Sequence, residues 1–186
     1  MNWSVENIHV WHLQRLHPLD EQAASKPYEL SYLANPDPNF CRFLYATVGA
    51  PWRWYEKLAW SLEEWRHHVS QKDTHFWVAF HQGNPIGYFE IRRENHSSAE
   101  ICLFGLMPDW IGKGLGKPFL QDAIRLGFEL VTDRVWLHTC SMDHPNALTN
   151  YQSQGFEIFK EETFDARVPT APLEPFVGAF SETLTD

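Results

Sequence analysis

Three glycines fall within five residues, Gly112-Lys113-Gly114-Leu115-Gly116, directly before a helical pattern that opens at Lys117. Glycine lets successive backbone N–H groups converge on an anion, and a helix that starts there adds its positive end, so the chemistry open to this spacing is phosphate holding. The loop is not a P-loop, because Gly116 leads to Lys117-Pro118 where Lys followed by Ser or Thr is required. It is not a dinucleotide fingerprint either: G-x-G-x-x-G is missing and the chain before it reads as antiparallel. A second grouping is aromatic. Trp52, Trp54, Tyr55, Trp60 and Trp65 follow closely on Phe40, Phe43 and Tyr45. Most of these suit a core, but Ala50-Pro51-Trp52-Arg53-Trp54-Tyr55 reads as a loop, and aromatic faces there attract ammonium groups and flat apolar substrates.

Other chemistries find little support. Cys41, Cys102 and Cys140 are odd in number and widely spread, which suits reduced thiols packed in a core, and no Cys-His-acid set marks a nucleophile. Cys-x-x-Cys and His-Glu-x-x-His are both absent, and His9 and His12 lie in a stretch that reads as a strand, so no metal is expected.

These residues need elements to position them. Val5 to Leu16 and Tyr28 to Ala34 alternate imperfectly and predict an antiparallel hairpin with a long loop. Asn35-Pro36-Asp37-Pro38 makes a turn, Asn39 to Val48 a short helix, and Ser61-Leu62-Glu63-Glu64 a capping box with Leu62, Trp65 and Val69 on one face behind it. Thr74 to Phe80, Pro85 to Arg93 and Ala99 to Met107 read as a meander of strands, the first two joined by the turn His81 to Asn84. Leu120, Ile124, Phe128 and Val131 mark a helix over Lys117 to Val131, and Arg134 to Cys140 is a strand. Strand, helix and strand predict a crossover that sets Arg134 to Cys140 parallel to Ala99 to Met107. A helix over Pro145 to Gln154 and a strand over Phe156 to Glu162 complete the pattern. Pro169 to Asp186, with prolines at 169, 172 and 175, reads as an irregular tail that docks through Phe176 and Phe180.

The whole chain has 186 residues, enough for one domain with a sizeable core. Its 15 basic residues against 24 acidic ones give a net charge of −9, and no basic run exists, which argues against nucleic acid and anionic membrane surfaces as partners. Met1-Asn2-Trp3-Ser4 opens with neither a basic region nor an apolar run, so a cytoplasmic location is expected. Exposed tryptophans gathered into one patch would support a homodimer.

The glycine loop combines with Asp143-His144-Pro145-Asn146-Ala147-Leu148-Thr149-Asn150-Tyr151 and, after Gln154, Gly155-Phe156. Together they resemble the GNAT superfamily of acyl-CoA-dependent N-acetyltransferases over roughly Phe76 to Glu162. The resemblance implies a mixed α/β sheet, splayed at its centre and flanked by helices. It divides residues 1–168 into an N-terminal hairpin with aromatic helices (1–73) on the acceptor side and an acyl-CoA core (74–162), followed by the tail (169–186). It further implies acetyl-CoA as acyl donor. Gly112, Lys113, Gly114, Leu115, Gly116 and Lys117 would take the pyrophosphate, and free backbone groups at Gly105, Leu106 and Met107 the pantetheine arm. Tyr151 stands where a phenol protonates the departing thiolate, and Glu100 where some members carry a general base. Two positions depart from the family: Ile111 replaces the usual Arg or Gln, and His144 replaces an Asn. With Asn146 standing where Arg or Lys is common, either His144 takes over that hydrogen bond or Asn146 is displaced into it.

Acetyl transfer needs a neutral amine, a polarised thioester carbonyl and a proton for the thiolate. The N–H near Leu106 can polarise, and Tyr151, with a phenol of pKa about 10, can protonate. Glu100 is the first choice for base and Glu90 the second, with His138 in the right pKa range. Trp52, Trp54 and Tyr55 would line the acceptor side with Glu90 and His138. The expected activity is therefore acetylation of a small molecule's primary amine by direct transfer. The rivals are acetylation of a protein N-terminus or lysine, and a non-catalytic acyl-CoA sensor.

Overall fold

The computed structural model describes residues 3–20 and 26–171. Along them run β1 (Trp3–Arg15), β2 (Glu29–Tyr32), α1 (Pro38–Gly49), α2 (Leu62–Val69), β3 (Thr74–His81), β4 (Asn84–Arg93), β5 (Ser98–Leu106), α3 (Gly116–Leu130), β6 (Arg134–Cys140), α4 (Ala147–Ser153) and β7 (Glu157–Pro169). Local signals set most of these. Asp37 accepts the N–H groups of Asn39 and Phe40, both at 2.9 Å, and Pro38 occupies a first-turn position where no N–H is needed. Ser61 and Glu64 form the capping box that starts α2. Gln82 and Gly83, at φ 49° and 81°, make the two-residue hairpin turn between β3 and β4, and His81 and Asn84 are already paired in the ladder.

One sheet holds the strands in the order β2-β3-β4-β5-β6-β1-β7. The crossover through α3 makes β5 and β6 parallel, but their pairing covers only Ser98–Glu100 against Arg134–Trp136. Beyond Glu100 the two strands part. On its other edge β5 carries a bulge, for Ile91 faces Ile101 while Glu90 faces Leu103, which leaves Cys102 as the extra residue.

The expected N-terminal hairpin does not form. β2 pairs with β3, whereas β1 lies between β6 and β7, antiparallel to both. Alternation announces a strand without naming its partner, and here length favours the distant one: β1 and β7 have 13 residues each, β2 only four. β7 also runs past Glu162 to Pro169, the residue at which an irregular tail was expected to begin. Residues 172–186, with Phe176 and Phe180, lie outside the described residues.

Both faces of the sheet are covered. Phe89, Ile91 and Ile101 pack with Phe119, Leu120, Ala123 and Ile124 of α3. On the other face Phe76, Val78 and Tyr88 pack with Leu44, Tyr45 and Val48 of α1 and with Trp65 of α2. Among the described residues Trp3, at 40% exposed, is the one tryptophan on the open surface, and the tryptophans gather into no exposed patch. Among the described residues no helix is long and apolar enough to cross a membrane.

Candidate active site

Where β5 and β6 part, a cleft of about 1310 Å³ opens, walled by β5, the glycine loop, β6, α4 and the aromatic segment after α1. At one end Gly112 and Gly114 have φ of +78° and +76°, and a Cβ on either would meet nothing within 4 Å. Glycine is required there for the backbone angle and not for room. No side chain caps α3, so its first N–H groups remain available beside this loop. Gly116 and Lys117 also line the cleft, and Asn150 of α4 donates to the Gly116 carbonyl at 3.4 Å. Two loop residues point elsewhere: the Lys113 ammonium lies 4.6 Å from the Trp110 ring centre, and Leu115 is buried in the core.

The middle of the cleft is the edge of β5 that has lost β6. Gly105 and Leu106 lie on it. A Cβ on Gly105 would come within 2.5 Å of Val48, so α1 sits directly on this strand. Met107 does not join them: its N–H is bonded to the Ile86 carbonyl at 2.8 Å and its side chain is buried, because the strand has ended and the chain has turned into the Pro108–Trp110 turn.

Tyr151 lines the cleft from α4, buried, with its ring edge-on to Phe104 and Phe156. Burial, aided by the nearby Asp143 carboxylate, pushes its phenol well above the ordinary 10, so it holds its proton throughout the neutral range. His144 and Asn146 are on the same wall. The His144 ring stands edge-on to Trp52 at 5.2 Å, and its Nδ1 accepts the Asn146 N–H at 3.0 Å, which commits His144 to the start of α4.

Glu100 is 4% exposed and bound on two sides, by the Arg92 guanidinium and by His138 Nδ1 at 3.3 Å. Burial alone would raise its carboxyl. The His138 hydrogen bond and the Arg92 charge outweigh burial and hold it below the usual range. His138 moves the other way, for its bond to Glu100 raises it above 6.5 against the pull of burial, with help from Asp143 and Glu56. Glu100 is therefore a fixed anion and a weak base, while about half of the His138 side chain (48%) is open to the cleft. Glu90, 3% exposed, binds His68 Nε2 at 2.9 Å.

Trp52 and Trp54 line the cleft as expected, but Tyr55 does not. Its ring packs edge-on against Trp3 at 5.4 Å and its hydroxyl donates to the Arg167 carbonyl, because β1 and β7 lie beside this segment. Trp65 is core, 1% exposed. The thiols are poor nucleophiles: burial pushes Cys41 to about 12, Cys140 to about 11 and Cys102 well up. Among the described residues no group of three His, Cys, Asp or Glu could hold a metal ion.

Arg92, His68, Glu56 and Asn150 also reach the cleft, and the sequence reading missed all four. Arg92 was recoverable, since it and Glu100 are equally far from the turn that joins β4 to β5 and so face each other. His68 and Glu56 carry no such local signal.

The model of the Acetyltransferase (GNAT) family matches residues 28–156. No curated protein matches the sequence. Among solved structures the fold is shared with a GCN5-related N-acetyltransferase from Sphaerobacter thermophilus, at TM-score 0.65 and 14% identity over 90% of this chain and 53% of that one. A spermidine N-acetyltransferase from Vibrio cholerae, solved with CoA and spermine, matches at TM-score 0.57 and 23% identity over 76% and 93% of the two chains. An aminoglycoside acetyltransferase from an uncultured soil metagenomic sample, solved with sisomicin, gives 0.57 and 18% over 69% and 88%. The chain spans about half the length of the first of these.

Proposed function

From the premise that the chain belongs to the GNAT acetyltransferase family, we propose that it transfers acetyl from acetyl-CoA to the primary amine of a small molecule by direct attack. The observation that carries this is one cleft in which a positive-φ glycine loop, an unpaired strand edge, a buried phenol and a carboxylate-oriented imidazole meet. The residues fit the donor. Gly112, Gly114, Gly116 and Lys117 would hold its phosphates, and the free edge at Gly105 and Leu106 its extended arm. Acetyl-CoA supplies an acetyl group activated as a thioester.

The protein's part is proton traffic and orientation. His138, held by Glu100 through Nδ1, leaves Nε2 to take the proton of the attacking amine. Backbone N–H groups on the free edge of β5 polarise the carbonyl. The new N–C bond forms, the C–S bond breaks, and the Tyr151 phenol protonates the leaving thiolate. Solvent then takes the proton from His138 and returns one to Tyr151. Glu100 thus acts as the positioning residue and His138 as the base, which inverts their order from sequence. Glu90 is buried and tied to His68.

A small acceptor is favoured because residues 52–60 roof the acceptor end. Trp54 N–H bonds the Gly49 carbonyl at 3.1 Å, Arg53 pairs with Glu6 of β1 at 3.1 Å, and Tyr55 bonds β7. The reduced thiols suit a cytoplasmic setting.

Calorimetric titration with acetyl-CoA and with free CoA, followed by thiol release over a panel of amines, tests the reading. Micromolar binding and amine-dependent release are expected. No binding of either ligand at millimolar concentration overturns it, and acetylation confined to peptide lysines or N-termini overturns the small acceptor.

A further inference from the structure

Most of the charge in the cleft is already matched. Glu90 binds His68, Glu100 binds Arg92 and His138, Asp73 binds Arg93, and Asp143 accepts from Thr139 Oγ1 at 2.6 Å and the Cys140 N–H at 3.0 Å. Glu56 differs. Its carboxylate is exposed and lines the cleft, and among the described residues its one hydrogen-bond partner is the Tyr45 hydroxyl at 3.3 Å; it makes no ion pair, because the ammonium of the adjacent Lys57 lies over the Trp60 ring, 4.2 Å from its centre.

The surroundings are built. Glu56 lies on the roofing segment that Arg53, Trp54 and Tyr55 fasten to three different elements, and Tyr45 Oη also accepts the Lys57 N–H at 3.3 Å. Trp52 and Trp54 line the same cleft. The negative charge reaches across to β6, where it helps to raise both His138 and Cys140. A carboxylate without a counterion, set among indoles and a short way from the base, is a site for an ammonium group.

That ammonium is not the reacting amine. The nucleophile has to arrive neutral at His138, whereas an uncompensated carboxylate keeps an amine protonated. We propose that Glu56 anchors a second cationic group of the acceptor, so that the substrate is a small molecule carrying at least two amines, one held at Glu56 and the other acetylated beside His138. The proposal rests on the acetyltransferase reading only for the fate of the second amine.

The test compares cadaverine, a five-carbon terminal diamine, with pentylamine, which has the same chain and one amine. Each is titrated calorimetrically near neutral pH into protein saturated with CoA, and acetyl-CoA-dependent thiol release is followed in parallel. The wild type is expected to bind cadaverine about five- to tenfold more tightly, with a preference that shrinks as salt rises. Glu56→Gln, which keeps the shape and the Tyr45 contact, is expected to weaken cadaverine binding and abolish the preference. Equal binding of the two amines to the wild type, binding of neither, or a preference that survives in Glu56→Gln overturns the anchor. A Glu56-dependent preference without thiol release instead upholds the anchor and overturns acyl transfer.

Discussion

The two ends of the cleft are built from different material. The end proposed to hold phosphate is backbone: positive-φ glycines, an uncapped helix start and a strand edge without a partner. The acceptor end is side chain: Glu56, His68, Arg92, Glu100 and His138 come from a loop, a helix and three strands. A backbone site tolerates changes in its side chains, so Ile111 in place of Arg or Gln would cost the proposed cradle one side-chain donor and none of its backbone donors. A side-chain site depends on every element that delivers a member, and on the charge of each neighbour.

The sharpest break between the ends is Tyr151→Phe. Turnover should fall by about 10²–10⁴-fold, while acetyl-CoA affinity, read by calorimetry, stays within about threefold of the wild type. A parallel loss of affinity would assign Tyr151 to the binding end. Gly112→Val or Gly114→Val forces a β-branched residue to positive φ, at about 1–2 kcal/mol each. CoA affinity should drop by about tenfold, with kcat at saturating donor preserved, and unchanged affinity would show that the loop does not hold the ligand.

Glu100→Gln probes the acceptor end through pH. In the proposed mechanism His138 serves as base only when neutral, and in the wild type it loses its proton above the ordinary 6.5, so the rate should climb with pH through that higher value. Removing Glu100 takes away the largest upward influence on His138. The acid limb of the pH–rate profile should move to lower pH, with a several-fold loss of rate on the plateau. An unmoved limb would detach His138 from the chemistry. Asn150→Ala is the mildest change: losing one long bond to the Gly116 carbonyl should raise the KM for acetyl-CoA by a few-fold and leave kcat unchanged.

The same contrast explains what could be read in advance. The glycine loop, the capping box at Ser61 and the β3–β4 turn are local and were legible, as was the βαβ crossover that places α3. The partner of β1 was not, because Ile8 and Val10 specify a face and leave the neighbour open. Tyr55 looked like a member of the acceptor wall until β1 and β7 came to lie beside it. Glu100 looked like a free base because its residue type says nothing about Arg92 and His138 on either side. Residues such as Glu56 and His68 become recognisable only once tertiary packing has brought them to a common space.

The position of β1 sets an order of events. Asn7 bonds Asp165 across 158 residues of sequence, and the strand has β6 on one edge and β7 on the other. During synthesis β1 emerges with neither neighbour yet made, and it must stay unpaired while the meander, α3 and β6 follow. Contacts so remote close late and slowly, so β1 gains one neighbour only when β6 is made and the other only when β7 arrives. Until then an alternating apolar strand stands open to edge pairing with other chains, which makes this interval the point at which folding of the protein is most exposed to aggregation.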